Sequence, residues 1–176
     1  MYVRDSAVDA AIAKNQTLQD VIQGRTLMLW RPGTTATVAA QCCLMFGGIG
    51  LLGSVLWLSP ITADRFKHGF FLGLLPLATV TAALFHGVVR GWKHARTFSY
   101  RFALGMTAIA ACFALVGVFQ GKMVSLATAS ASVVFHLSAV RLIAGEGYAI
   151  TSAMFRAQRA HAQRMKRMAR ELGGHK

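Results

Sequence analysis

The sequence predicts an all-α integral membrane protein with four transmembrane helices, a short N-terminal amphipathic helix and a basic C-terminal helix. Residues 36–58 contain no charged side chain, and roughly 20 apolar residues suffice for a helix to cross the hydrocarbon core of a bilayer. Three similar apolar stretches follow along the chain. Of the 176 residues, 55% are apolar and 14% are charged, whereas soluble domains carry roughly 25% charged residues.

The polar N-terminal segment, residues 1–35, is expected to contain one short amphipathic helix. Ser6 followed by Asp9 has the spacing of a capping box, and Gly24 is suited to a helix C-cap, so the helix is predicted between them. The tetrapeptide Trp-Arg-Pro-Gly at residues 30–33 ends any helix that precedes it. A Trp beside an Arg just before an apolar stretch is typical of an anchor at the membrane surface.

The transmembrane domain is predicted over residues 36–144. Its four spans are expected at about 36–58, 69–89, 102–120 and 123–144. Pro76 lacks a backbone donor and is therefore expected to kink the second span. A short turn at Gly121 and Lys122 makes the third and fourth spans an antiparallel hairpin.

Small residues within the spans predict close contacts between helices, inside one chain or between chains. The positions expected to make these contacts are Gly47, Gly50, Gly53, Gly69, Gly73, Gly117, Gly121 and Ser130. The fourth span is also rich in hydroxyl side chains, which favours a position against other helices rather than against lipid.

The distribution of basic residues predicts the orientation of the chain in its membrane. Sixteen of the 19 Lys and Arg residues lie in or beside the two terminal segments and the loop between the second and third spans. By the positive-inside rule, these parts lie in the cytoplasm, together with both termini. The same rule explains the net charge of +13, which in a soluble chain would indicate nucleic-acid binding. Direct nucleic-acid contact is therefore not expected.

The basic C-terminal helix, within residues 145–176, is the strongest functional candidate outside the spans. Its basic residues are Arg156, Arg159, Arg164, Lys166, Arg167 and Arg170, and apolar residues recur on another face. Such a helix attracts anionic lipid headgroups, docks on an acidic partner or extends into a neighbouring subunit. The simpler interpretation is that these charges serve only as a topology signal.

Ionisable residues inside the spans are candidate sites of chemistry. His86 and His136 lie on different helices and are candidate axial ligands of a b-type haem. Their depths differ by about five residues, roughly 7 Å along a helix. A histidine hydrogen-bonded across helices or to a hydroxyl is therefore the preferred interpretation. Arg141 is read either as a charge filter or as a side chain that snorkels to the headgroups.

The sequence contains no nucleotide-binding loop, nucleophile elbow, zinc motif or catalytic carboxylate pair. Its cysteines, Cys42, Cys43 and Cys112, lie within apolar stretches and lack the spacing of covalent haem attachment. We therefore expect a protein that is not an enzyme and that carries no cofactor or metal.

The chain as a whole resembles a known class of protein in its layout. This layout consists of a charged N-terminal helix, the stretch from Trp30 to Gly33, four spans and a basic tail rich in Ala, Arg and Met. The class is that of the small polytopic inner-membrane subunits of bacterial conjugation and type IV secretion systems. The resemblance covers the whole chain as layout and carries over no catalytic residue. It implies a structural or assembly subunit whose partners are other membrane subunits or further copies of itself. The alternatives are a small oligomeric channel or transporter and a haem-bearing membrane anchor.

Overall fold

The computed structural model describes residues 5–25, 33–60 and 62–173. Within these ranges the chain forms seven α-helices and no strand. They are α1 (Asp5–Lys14), α2 (Gln16–Ile22), α3 (Thr34–Leu58), α4 (Ala63–Val89), α5 (Ala95–Phe119), α6 (Met123–Ala144) and α7 (Glu146–Gly173). The four helices α3 to α6 are each long and apolar enough to cross a membrane, which confirms the predicted number of candidate spans.

Three of these helices begin earlier in the chain than the predicted spans, α3 by only two residues. α4 starts at Ala63 rather than at residue 69, and α5 starts at Ala95 rather than at residue 102. Both extensions contain charged residues, which a search for uncharged stretches excludes but which a helix accommodates at its ends. α4 also continues without interruption through Pro76.

The bundle is organised around α3 and α6, which pack against each other, while α5 packs mainly on α6 and α4 mainly on α3. Small residues such as Ala40, Ala103 and Ala139 are fully buried between these helices. The outer faces of α4 and α5 instead expose large apolar side chains, including Phe71 and Phe119, the latter 88% exposed. Exposed apolar surface of this extent needs lipid or another protein surface to cover it.

The N-terminal segment contains two helices where the sequence analysis predicted one. Asn15 separates them, because its side chain accepts a hydrogen bond from the Leu18 backbone N–H at 3.2 Å and so caps α2. Ser6 lies inside α1 rather than at an N-cap, so the capping-box prediction is wrong. Gly24 follows α2 with a φ of +73°, the left-handed conformation in which glycine ends helices. The predicted anchor at Trp30 and Arg31 lies outside the described residues.

Helices from both ends of the chain pack together at one end of the bundle. Apolar side chains of α1 and α2 form a buried cluster with the start of α7; its members are Val8, Ile12, Val21, Ile22, Ala149, Ala153 and Met154. The connection between α4 and α5 reaches the same helix, since Arg159 donates to the Arg90 carbonyl at 3.4 Å. We call this end of the bundle the terminal end, and we call the end with the α3–α4 and α5–α6 connections the opposite end.

Candidate functional site

A ladder of small polar side chains joins α3 to α6 in the middle of the bundle. Near the opposite end, Ser125 Oγ donates to the Ser54 carbonyl at 3.2 Å, and the Ser54 and Thr128 hydroxyl oxygens lie 2.9 Å apart. Two turns along α6, Ser132 Oγ donates to the Gly47 carbonyl at 2.7 Å. These contacts explain the density of hydroxyl residues on the fourth span, because each buried hydroxyl finds a partner on its own or the facing helix.

His136 continues this ladder and is fully buried between α6 and α3. Its Nδ1 lies 2.9 Å from the Ser132 carbonyl and 3.2 Å from the Ser132 hydroxyl. Its Nε2 is buried and has no hydrogen-bond partner among the residues that the structure describes. The ring packs against the backbone of Gly47, where a Cβ atom would lie 2.7 to 2.9 Å from the imidazole atoms.

Substitution of Gly47 by alanine is expected to destabilise the bundle by about 1–3 kcal/mol, because the new methyl group overpacks the His136 ring. Thermal unfolding in detergent measures the effect. Gly105→Ala is the matched control, since a Cβ at Gly105 has no atom within 4 Å, and it is expected to stabilise α5 by about 0.5–1 kcal/mol.

The pairwise origin of this effect is checked by adding His136→Ala to Gly47→Ala. If the imidazole is the obstacle, the two substitutions couple by about 0.5–3 kcal/mol, so that His136→Ala is less harmful in the Gly47→Ala protein than in the wild type. Additive effects would contradict the contact between the ring and Gly47.

The two histidines considered as haem ligands have different surroundings. His86 is exposed near the end of α4, and its ring lies edge-on to Trp92 with centroids 6.3 Å apart. It lines a cavity of about 430 Å³ together with Phe155 and Arg159, whereas His136 is enclosed by α3 and Ser132. The structure therefore does not bring the two imidazoles to a common site.

The glycines predicted to pack helices fall into two groups. Gly50 and Gly53 face Thr128 of α6, Gly69 and Gly73 face leucines of α3, and Gly117 faces the Leu126 backbone. Gly121 and Ser130 make no such close contact within the part of the chain that the structure describes. A Cβ at Gly121 would have no atom within 4 Å, and its φ of +64° shows that glycine is needed there for the turn. Ser130 is exposed on α6, so none of the described helices covers it, and a contact between chains stays a prediction.

Two basic side chains for which the sequence predicted no contact hold the ends of helices. Arg96 is fully buried and donates from Nε to the Ile143 carbonyl and from Nη2 to the Ala144 carbonyl, both at 3.0 Å. Lys122 donates to the Leu58 carbonyl at 2.8 Å. The cations thus bond the last carbonyls of α6 and α3, where the helix dipole favours positive charge. Arg141, by contrast, is exposed at the outer surface of α6.

The first half of α7 is fixed to the terminal end of the bundle. Residues 151–154 are all buried, and Arg156 forms an ion pair with Asp9 of α1 at 3.0 Å and a hydrogen bond with Ser152 at 3.0 Å. Gly91 allows the α4–α5 connection to approach closely, since a Cβ there would lie 2.7 Å from the Phe155 carbonyl oxygen. Asp9 drew attention in the sequence only through its capping-box spacing, and no motif marks Ser152 or Gly91.

No protein-family model, curated protein or solved structure matches this chain. The candidate site therefore depends on its own geometry, and that geometry singles out α7.

The second half of α7 extends away from these contacts. From residue 160 to residue 171 every position is exposed except His161, which is partly buried. Four of the predicted lipid or partner residues, Arg164, Lys166, Arg167 and Arg170, lie in this half, and Met165 and Met168 expose about half of their surface. At 1.5 Å per residue this half-helix is about 20 Å long. It presents both charge and apolar surface on a firmly held support.

Proposed function

We propose that this protein is a non-enzymatic assembly subunit of a larger complex in the bacterial inner membrane. In this proposal α3 to α6 cross the membrane, both termini lie in the cytoplasm, and the exposed half of α7 docks on an acidic partner subunit. The observation that supports it best is the division of α7 into a half packed against α1, α2 and the α4–α5 connection and a half whose basic and methionine side chains are exposed.

The chemistry of the exposed half favours a protein partner. Four cations attract an acidic surface over a distance, which sets the rate of encounter and the orientation. Met165 and Met168 supply adaptable apolar area that a partner groove can cover. An anchored helix has also lost most of its freedom before binding, which reduces the entropic cost of docking. Membership of a conjugation or type IV secretion apparatus is the specific form of this proposal that the layout resemblance suggests.

The test is the mass and composition of the complex that is extracted with the full-length chain in mild detergent, with an absorption spectrum of the same sample. A large colourless assembly containing other envelope proteins supports the proposal. A colourless homo-oligomer alone overturns it in favour of a channel or transporter. A Soret band overturns it in favour of a haem-bearing anchor.

The role of α7 is tested separately with the double variant Met165→Gln/Met168→Gln and the double variant Arg164→Gln/Arg167→Gln. Each is expected to lower partner retention about tenfold, the effect of losing one to two strong interface contacts. Arg65→Gln/Lys67→Gln is the matched control, because both residues are exposed basic side chains at the opposite end. Equal loss of partners in the control and in the α7 variants would contradict docking through α7.

A further inference from the structure

Two cavities meet where α4 turns into α5 at the terminal end. One is an apolar groove of about 530 Å³ between the two helices, lined by side chains that include Val80, Ala83, Leu84, Phe98 and Phe102. The other is a polar cleft of about 760 Å³ between the α4–α5 connection, α1 and α7. Lys93 and His94 line both cavities. The groove and the cleft therefore form one continuous surface with an apolar and a polar part.

The polar cleft carries an excess of positive charge. Its lining includes Lys93, Arg156 and Arg159 but one carboxylate, that of Asp9, among the described residues. Asp9 is paired with Arg156 at 3.0 Å, so the excess of two charges lies on Lys93 and Arg159. Both side chains belong to exposed residues, and a phosphodiester group bound between them would accept hydrogen bonds from both and offset part of the excess.

Trp92 indicates the depth of this surface in the proposed membrane. It is 51% exposed and lines the apolar groove, and exposed tryptophans collect at the headgroup level of membranes. The groove then extends from Trp92 toward the hydrocarbon, along the last turns of α4 and the first turns of α5. The cleft lies on the aqueous side, at the depth of lipid phosphates.

We propose that this surface binds one anionic phospholipid molecule, with an acyl chain in the groove and the phosphate between Lys93 and Arg159. A neutral phospholipid would leave the excess charge unmatched, and a soluble phosphate compound would leave the groove uncovered. Basic pockets between helices on the cytoplasmic side of membranes are suited to such headgroups. The inference requires α4 and α5 to cross the membrane and is independent of what α7 binds through its exposed half.

Native mass spectrometry of the full-length protein in detergent tests this inference with three separate probes. The probes are phosphatidylglycerol, phosphatidylcholine and soluble glycerol phosphate. We expect phosphatidylglycerol to be retained at least about tenfold better than phosphatidylcholine, since two basic side chains discriminate between the two headgroups. We expect no retention of glycerol phosphate.

Two pairs of variants test the two parts of the surface. The double variant Lys93→Gln/Arg159→Gln is expected to weaken phosphatidylglycerol binding by about 30-fold, about fivefold per basic side chain. Its control is Lys166→Gln/Arg170→Gln, which removes the same charge from the exposed half of α7. The control is expected to leave binding within about twofold of the wild type. Ala83→Phe fills the groove and is expected to abolish retention. Ala82→Phe is its control, because Ala82 is also exposed on α4 but does not line the groove.

Three results would overturn the inference. Equal retention of phosphatidylcholine would remove the role of Lys93 and Arg159, and tight binding of glycerol phosphate would make the cleft a site for soluble anions. Equal effects of Ala83→Phe and Ala82→Phe would show that the groove holds no acyl chain. Thermal unfolding of each variant, measured beside the binding, identifies any that has lost its fold. Release of the protein from membranes by alkaline carbonate would instead contradict the proposed membrane placement.

Discussion

Replacing Arg96 by leucine is expected to lower the free energy of unfolding by about 2–4 kcal/mol, because two charge-assisted hydrogen bonds to the end of α6 are lost and their carbonyl acceptors stay buried. The guanidinium is fully buried and reaches both Ile143 and Ala144. Arg96→Lys keeps the charge but replaces the planar guanidinium with a single ammonium group. It is therefore expected to lower the free energy of unfolding by about half as much. Thermal unfolding in detergent measures both effects.

Arg101→Leu is the matched control for this prediction, since Arg101 lies on the same helix but is exposed. It is expected to change stability by no more than about 0.5 kcal/mol. If Arg96→Leu is as stable as Arg101→Leu, the guanidinium does not hold the end of α6, and the charge of Arg96 serves topology alone. If Arg96→Lys is as stable as the wild type, the bidentate geometry is unimportant and the positive charge is sufficient.

Hydropathy made the four long helices predictable, but it did not predict where α4 and α5 begin. An uncharged stretch identifies the part of a helix that must lie in hydrocarbon, but a helix continues as long as its backbone hydrogen bonds are satisfied. The charged first turns of α4 and α5, with Asp64 and Arg96 among them, therefore belong to the helices although they lie outside the predicted spans.

The contacts of the basic residues were less predictable. A lysine or arginine near a span looks the same in the sequence whether it is buried, paired or exposed. Arg96 is buried under α6, Arg156 pairs with Asp9, and Arg164 is exposed. These differences come from tertiary contacts between residues up to 147 positions apart. The break at Asn15 is a case where local evidence was present, since asparagine caps helices with its side chain.

The packing glycines show the same division between local and tertiary information. Helix packing was predicted for both Gly47 and Gly121, although Gly121 also lay in the predicted turn. One is pressed against the His136 ring and the other forms an open turn with positive φ. The spacing of glycines indicates that helices can approach closely, but it does not say which glycine a neighbour uses.

Replacing Gly91 by alanine is expected to release the first half of α7 from the bundle. Two effects combine at this position. A residue with a Cβ is disfavoured at its φ of +65° by about 1–2 kcal/mol, and the Cβ would lie 2.7 Å from the Phe155 carbonyl oxygen and 2.9 Å from the Arg156 Cα. Because both obstacles are backbone atoms, the α4–α5 connection and α7 must move apart. Amide hydrogen exchange of residues 148–158 measures the release and is expected to become at least about tenfold faster.

Gly121→Ala separates the two effects, because Gly121 has nearly the same φ, +64°, but a Cβ there meets no atom within 4 Å. This variant should carry the conformational penalty alone. Amide hydrogen exchange should become faster only in the α5–α6 turn, and the amides of α7 should stay protected. Equal exchange of α7 in the two variants would show that the Gly91 connection does not hold the helix.

If only Gly91→Ala releases α7 and partner retention falls with it, the exposed half of α7 binds its partner because the other half is anchored. If retention is unchanged, the exposed half binds without its support, and the proposal that the bundle presents α7 fails.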